Sequence, residues 1–186
     1  MTRTIATETL TLEAFLELPE TKPDREYING EIIQKPMPKG KHSWLQLMLA
    51  NCINESAKER KIACAVPELR CTFGSRSLVP DIAVFSWSRI PFDADGEIPN
   101  DFFLCPDWTI EILSPEQSPS RVIDNIGYCL ESECRLGWLL DPVDRSALVL
   151  RSQQQPKVFS GDDRLPMLEE LDLELTSDRI FSWLKF

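Results

Sequence analysis

The chain has 186 residues, of which 42% are hydrophobic and 27% are charged, and these are ordinary values for a globular protein. This length suits one domain with a sizeable core, so we expect residues 1–186 to form a single domain. No apolar run is long enough to span a bilayer, and the N-terminus has no signal-peptide pattern. Together these absences predict a cytoplasmic protein with no membrane partner.

Charge is distributed unevenly along the chain. The formal net charge is −10, which on its face disfavours a nucleic-acid partner. Between Lys22 and Arg76, however, there are ten Lys and Arg residues against six Asp and Glu. Two interpretations stay open: a basic surface that serves a function, or chance segregation on a solvated surface.

The six cysteines show no metal-binding pattern. None of them forms a C-x-x-C pair, and the chain has a single histidine. Zinc sites draw thiolates in close pairs, and disulfides form mainly in exported proteins. We therefore expect free thiols that are buried as small hydrophobic groups.

The N-terminal half predicts helices and a hairpin, followed by strands. Asn29-Gly30 is the strongest two-residue turn signal for a hairpin, and Pro67 places its strand at a sheet edge or a bulge. The predicted elements are a capped helix over residues 11–16, a hairpin over 26–33, a helix that opens at His42-Ser43 and buries Leu45, Leu49, Cys52 and Ile53, and strands over 62–71 and 78–85.

The C-terminal half predicts a surface loop, further strands and two helices. Ser118 and Pro119 fit the N-cap and first position of a helix. The predicted elements are a loop over residues 89–100, a strand over 108–113, a helix with Val122, Ile126, Cys129 and Leu130 on its apolar face, strands over 136–140 and 147–150, and a last helix from Thr176 or Ser177 that buries Ile180, Phe181 and Leu184. The grouped strands predict an α/β (α+β) fold, a mixed β-sheet flanked by helices.

Two acidic residues interrupt otherwise apolar strands. Asp81 lies in the strand over residues 78–85 and Glu111 in the strand over 108–113. A buried charge is costly unless it is paired, hydrogen-bonded or bound to metal. If the strands are neighbours, both carboxylates converge on one spot, and a divalent cation such as Mg²⁺ relieves their repulsion. The Ile112 carbonyl could add a further ligand.

A simpler interpretation of the same residues has no metal. In it Asp81 ends a turn, and Glu111 pairs with an arginine such as Arg70. The spacing of the residues alone does not decide between the two.

Pro80-Asp81, followed after a loop by Glu111-Ile112-Leu113, resembles the PD-(D/E)XK signature of restriction-endonuclease-like nucleases. A wider set of segments resembles the bacterial restriction-endonuclease family of the Uma-two type, formerly a domain of unknown function, from about the first helix to the last. These segments are YINGE at 27–31, KPMPKGKH at 35–42, VPDIAVF at 79–85, WTIEILSP at 108–115 and GWLLDP at 137–142.

This resemblance implies a restriction-endonuclease-like core, to which an N-terminal helix and a β-hairpin are added. It also implies hydrolysis of DNA phosphodiester bonds with Mg²⁺ (or Mn²⁺), Asp81 and Glu111 being metal ligands. A homodimer is plausible, because two-fold dimers match palindromic sites.

The chain departs from the family pattern at its lysine. The strict signature places lysine at the position of Leu113, and many family members carry it in the following helix, where this chain has Asp124 or, in the better alignment, Asn125. Such a lysine orients the attacking water and stabilises transition-state charge. Lys35 and Arg121 are the candidate substitutes, and Arg121, in the first turn of its helix, is also a predicted contact for nucleic-acid phosphate. Alternatively, both are ordinary surface residues.

Further residues are secondary candidates for the same site. Glu31, at the exit of the hairpin turn, is either a third acid or an exposed hairpin residue. His42 lies beside Lys39 and Lys41, so the three predict a nucleic-acid contact, while helix capping or plain exposure is the alternative for His42.

The sequence therefore predicts a Mg²⁺-dependent endonuclease. The alternative is a catalytically impaired nuclease-fold protein that acts as a nucleic-acid-binding or regulatory module, which the missing lysine and the net charge favour. A metal-independent small-molecule enzyme has little support, because there is no Gly-rich phosphate loop and no G-x-S-x-G motif.

Overall fold

The computed structural model describes residues 10–115 and 117–186, which form two β-sheets and four α-helices. The helices are α1 (Leu12–Leu16), α2 (Gly40–Ala57), α3 (Pro119–Glu131) and α4 (Ser177–Ser182). The strands are β1 (Arg25–Ile28), β2 (Glu31–Gln34), β3 (Ala63–Pro67), β4 (Cys71–Phe73), β5 (Arg76–Leu78), β6 (Ile82–Ser86), β7 (Trp108–Ile112), β8 (Leu136–Asp141), β9 (Ser146–Leu150) and β10 (Lys157–Ser160). Within those ranges, no helix is long and apolar enough to cross a membrane.

The large sheet has the strand order β10-β9-β8-β7-β6-β3 and is mixed, as predicted. β7 and β8 run parallel, whereas the other neighbouring strands run antiparallel. A parallel pair needs a crossover connection, which α3 supplies between β7 and β8. α2 packs under this sheet with Leu45, Leu49 and Ile53 fully buried, while Cys52 of its predicted stripe is half-buried.

The small sheet has the strand order β2-β1-β5-β4 and contains the predicted hairpin. β1 and β2 pair antiparallel, with Ile28 opposite Glu31. Asn29 and Gly30 both have positive φ angles, 52° and 91°, as a two-residue hairpin turn requires. The hairpin prediction is confirmed.

The predicted strand over residues 78–85 is wrong in one respect, because the chain breaks at Val79–Asp81 into two strands of different sheets. β5 ends at Leu78 and β6 begins at Ile82, so Asp81 precedes its strand. Side chains satisfy the backbone at the break: the Val79 N–H donates to Glu26 Oε1 at 2.9 Å, and Gln46 Nε2 donates to the Asp81 carbonyl at 2.7 Å. These contacts replace the ladder that a continuous strand would need.

The predicted strand over residues 62–71 is also divided. β3 ends at Pro67 on the edge of the large sheet, as predicted from the proline, and Cys71 begins β4 in the small sheet. The Asn54 side chain occupies this open edge, because its amide bonds both the N–H and the carbonyl of Ala65 at 2.8 Å. The sequence analysis missed β4 and β10 as separate strands.

The helices begin close to their predicted positions. Thr11 Oγ1 accepts from the Ala14 N–H and caps α1, whereas α2 begins at Gly40, two residues before His42. Ser118 occupies the N-cap position of α3 without capping it, because its hydroxyl bonds Ser120 Oγ at 2.9 Å. All six cysteines are free; four are buried and two are half-buried.

Candidate active site

Asp81 and Glu111 lie opposite each other where the pairing of β6 with β7 ends. Ile82 faces Ile110 in the antiparallel register, so the next pair along is Asp81 and Glu111. Both residues are buried, with 2% and 5% of their surfaces exposed. The Ile112 N–H donates to Asp81 Oδ2 at 2.7 Å. Because side chains alternate along a strand, Glu111 faces away from the core that Ile110 and Ile112 enter.

Lys35 connects the two acids. It directly follows β2, and its side chain is only 13% exposed. Its ammonium lies 2.8 Å from Asp81 Oδ1 and 3.5 Å from Glu111 Oε2, and it donates to the Val79 carbonyl at 2.6 Å. The alternative of a solvated lysine is therefore wrong. We call Asp81, Glu111 and Lys35 the acid–lysine cluster.

The arginine proposed as an alternative partner of Glu111 bonds elsewhere. Arg70 pairs with Glu20, Nη2 to Oε2, at 2.8 Å, and it also donates to the Arg25 carbonyl at 3.0 Å. These contacts hold the segment that follows α1 against the small sheet. Lys35, and not Arg70, is thus the cation that faces Glu111.

His42 belongs to the interior of the site and is not an exposed or capping residue. It is 8% exposed, and its Nε2 lies 2.9 Å from Asp81 Oδ2. An ionised Asp81 only accepts hydrogen bonds, so Nε2 carries the proton in this contact. Nδ1 is buried without a hydrogen-bond partner. The alternative of plain exposure is therefore wrong, because His42 fixes Asp81. Its contact with nucleic acid stays a prediction.

The acid that the sequence analysis missed is Glu26. It is 4% exposed on β1, where Oε1 accepts from the Val79 N–H at 2.9 Å and Oε2 accepts from Asn125 Nδ2 at 3.2 Å. Glu31, the predicted third acid, is exposed on β2. Both residues lie in the same hairpin, and only the pairing of β1 with β5 on its far side determines which of the two is buried.

Of the two residues proposed at the family's lysine position, Asn125 faces the site. Asn125 is buried, whereas the Asp124 side chain is 61% exposed. Both accept from the buried Arg76, which lies 2.8 Å from Asp124 Oδ2 and 3.5 Å from Asn125 Oδ1. The Arg76 guanidinium also lies over the Tyr128 ring, 4.3 Å from its centroid. Arg76 is a second residue near the site that the sequence analysis missed.

Burial and charge act in opposite directions on the buried groups. Burial opposes ionisation of Asp81, but Lys35 and His42 outweigh it and hold its pKa below the usual range. Burial raises the pKa of Glu111 well above 4.5, and Lys35 offsets this only in part. Burial likewise raises the pKa of Glu26. Burial lowers the pKa of Lys35, but the negative charges of Asp81, Glu111 and Glu26 outweigh burial, so that the pKa of Lys35 is raised.

Three cavities surround the acid–lysine cluster. The first, of about 140 Å³, is lined by Lys35, Asp81 and His42, among others. The second, of about 280 Å³, lies toward Glu26 and Glu111, and Arg121 of α3 lines it. The third, of about 330 Å³, is lined by Lys39 and Lys41 at the start of α2. Lys39, Lys41 and Arg121, three of the residues predicted to bind nucleic acid, are thus exposed near the cluster.

The donor atoms at the cluster fit a hard divalent cation. Asp81 and Glu111 each present a carboxylate oxygen to one positive centre, the Lys35 ammonium. Mg²⁺ binds one or two carboxylates and completes its coordination with water. Among the described residues, no group of three or more His, Cys, Asp or Glu side chains is arranged to hold a metal ion. Asp81, Glu111 and the Ile112 carbonyl therefore all remain predicted ligands.

The fold is a mixed sheet with a crossover helix. Its two buried acids lie at the ends of adjacent strands, and a lysine from the small sheet contacts both. Together these features define a restriction-endonuclease-like class of protein. The chain belongs to the Uma2 family, described as "putative restriction endonuclease", whose family model matches residues 12–178. The family and fold predictions are both confirmed.

A solved structure with the same fold is also similar in sequence. The chain is similar to a protein from Anabaena variabilis ATCC 29413 described as a "putative nuclease belonging to DUF820", with 52% sequence identity and a TM-score of 0.92. The match covers 94% of this chain and 98% of that one. No functionally curated protein matches the chain.

Proposed function

We propose that this protein is a Mg²⁺- or Mn²⁺-dependent endonuclease that hydrolyses phosphodiester bonds in DNA. The observation that carries the proposal is the position of Lys35, whose ammonium contacts both Asp81 and Glu111 at 2.8 and 3.5 Å. The missing family lysine is the main objection to catalysis, and Lys35 supplies a cation at the same acids. Restriction-endonuclease-like families generally use divalent metals, and this chain belongs to one.

Asp81 and Glu111 would hold the metal, with the Ile112 carbonyl as a further ligand. When bound, the metal would lower the pKa of a water and neutralise charge on the scissile phosphate. His42 and the Ile112 N–H both donate to Asp81 Oδ2, which fixes the carboxylate and leaves Oδ1 directed at Lys35.

Lys35 provides the charge that the transition state needs. The Val79 carbonyl holds its ammonium beside the two acids, so the ammonium would stay at the cluster when a metal replaces it on the carboxylates. Arg121 adds a second cation at the opening of the cavity on the Glu111 side. Both cations would attract the phosphate, and Lys35 also compensates the buried acids.

The proposed substrate is DNA, which the basic residues around the openings support. Lys39, Lys41 and Arg121 are exposed there, although the whole chain is acidic. A cytoplasmic location also remains a prediction. A homodimer remains a prediction, which sedimentation velocity tests directly.

The test is cleavage of a supercoiled plasmid in Mg²⁺, in Mn²⁺ and in EDTA. We expect cleavage only with metal, and a loss of about a hundredfold or more in Lys35→Met and in Glu111→Gln. Lys58→Met, just beyond the C-terminal end of α2, and Glu131→Gln, at the exposed end of α3, are matched controls that retain the rate. Cleavage that survives both cluster substitutions would come from a contaminant or another site.

The second candidate is a nuclease-fold module that binds nucleic acid without cutting it. The observation that favours it is the occupancy of Asp81, whose Oδ2 already accepts from His42 and Ile112 and whose Oδ1 accepts from Lys35. A metal must therefore compete with protein donors. Binding of DNA without cleavage under any of the three conditions would select this function.

A further inference from the structure

The cavity at the start of α2 has a chemical character unlike that of the acid–lysine cluster. It measures about 330 Å³. Apolar residues make up much of its wall and lysines lie at its opening, namely Leu113, Pro115, Pro142, Val143, Lys39 and Lys41. Val143 is 77% exposed, so the cavity opens to solvent with an apolar side chain at its edge. We call it the Val143 cavity.

The Val143 cavity adjoins the cluster. It shares two lining residues, His42 and Ser114, with the cavity that contains Asp81 and Lys35. The shared His42 lies 2.9 Å from Asp81 Oδ2. The two cavities are therefore neighbours, with the His42 side chain between the Val143 cavity and Asp81.

An apolar chamber with a cationic opening matches one nucleotide. A nucleobase has an apolar face that gains from leaving water, whereas its phosphate is attracted to lysines. We propose that the Val143 cavity holds one unstacked nucleobase of the DNA strand whose phosphate lies at the acid–lysine cluster. This inference rests on the proposed function and deepens it, because it selects single strands, in which a base leaves the stack at least cost.

Gly40 allows an apolar side chain to be added at the wall of the cavity without a clash at its Cβ. It lines the cavity at the first position of α2, and a Cβ added there meets no atom within 4 Å. Gly40→Leu therefore places apolar bulk at the cavity, and leucine is a better helix former than glycine. Gly127→Leu in α3 is the matched control, because a Cβ at Gly127 also meets no atom within 4 Å and Gly127 does not line the cavity.

The experiment compares two single strands with equal charge, measured in EDTA at low salt by fluorescence anisotropy. One is an oligothymidylate of about twelve nucleotides; the other is an abasic strand of the same length. We expect the unaltered protein to bind the oligothymidylate about fivefold or more tightly than the abasic strand, because the cavity removes apolar surface of the base from water. Gly40→Leu should lose that preference yet bind the abasic strand as before, and Gly127→Leu should behave as the unaltered protein.

Three results would overturn the subsite. The first is equal affinity of the unaltered protein for the two strands. The second is a preference that persists in Gly40→Leu. The third is tighter binding of the oligothymidylate once it is paired with its complement. If one of these results is found and the plasmid is still cleaved in a metal-dependent way, only the subsite is refuted and the nuclease function stands. If the protein neither binds nor cleaves DNA, both the nuclease function and the subsite are refuted.

Discussion

Asn125 of α3 donates to Glu26 Oε2 of β1 at 3.2 Å, which joins residues 99 positions apart in the chain. The other oxygen of Glu26 accepts from the Val79 N–H, at the break between β5 and β6. This side-chain bridge therefore ties the crossover helix of the large sheet to the segment that positions Asp81. Its integrity should control both the stability and the geometry of the site.

Asn125→Asp is the substitution that tests this bridge. It removes the amide donor and brings a second carboxylate against Glu26, so we expect the free energy of unfolding to fall by about 1–3 kcal/mol at neutral pH. The loss should shrink in acid, where one of the two carboxyls is protonated and donates. Urea denaturation measures the effect, with the exposed Asn100→Asp as the control. A loss no larger than that of the control would contradict the bridge.

The raised pKa of Glu111 predicts a pH dependence of stability. Because burial raises this pKa above 4.5, the folded state holds a proton that the unfolded state releases. The contribution to stability is therefore present at pH values below 4.5 and is lost as pH rises toward the raised pKa, by at most about 1.4 kcal/mol per pH unit.

Comparison with Glu111→Gln isolates that contribution, because glutamine does not titrate. Thermal unfolding in EDTA from acid to neutral pH should show the unaltered protein losing stability relative to Glu111→Gln. Glu131→Gln, at the exposed end of α3, should show no such divergence. Parallel curves for the unaltered protein and Glu111→Gln would refute a retained proton.

The sequence predicted the acids of the site because their signal is local. A carboxylate within an apolar run marks Asp81 and Glu111, whichever strands pair. The break before β6 was not predictable in the same way. Pro80 lacks an N–H and argues against a continuous strand, but the apolar residues around it fit one. The break also depends on Glu26 and Gln46 binding the free backbone groups.

The residues that contact the two acids are far from them in the chain. The sequence pattern could therefore name these partners only as alternatives. Lys35 meets Asp81 across 46 positions and Glu111 across 76. Glu26 and Glu31 look alike in the sequence, and the sheet pairing decides which one is buried. His42 looked exposed because it follows Lys39 and Lys41, but helix periodicity turns it inward.

Lys35 and a divalent cation should compete for the same acids. In the unaltered protein, millimolar Mg²⁺ or Mn²⁺ should raise the melting temperature, by an amount equivalent to about 2.7 kcal/mol when metal is a hundredfold above its Kd. Asp81→Asn should abolish the rise. Lys35→Met removes the competing ammonium, so we expect it to bind metal about tenfold more tightly while losing cleavage activity.

Isothermal titration with Mn²⁺ compares these affinities directly, with Lys58→Met as the control. Weaker metal binding in Lys35→Met than in the unaltered protein would show that the ammonium does not occupy the metal position. No thermal shift in any variant at millimolar metal would count against the metal site as a whole.

Lys39 and Lys41 should contribute to DNA affinity mainly through phosphate charge. Each phosphate contact that is lost reduces the slope of log K against log salt by about 0.7 for a single strand and 0.9 for a duplex. We therefore expect Lys39→Ala and Lys41→Ala each to flatten the slope by that amount. Arg121→Ala should do the same if the strand also crosses the cavity on the Glu111 side.

These measurements use Glu111→Gln as the background, so that cleavage cannot deplete the DNA. Lys157→Ala serves as the control, because Lys157 is exposed on β10, the strand at the opposite edge of the large sheet from β3. Its slope should equal that of the background protein. If all four variants share one slope, the basic residues near α2 and α3 do not contact phosphate, and the excess of Lys and Arg between Lys22 and Arg76 is only a property of the solvated surface.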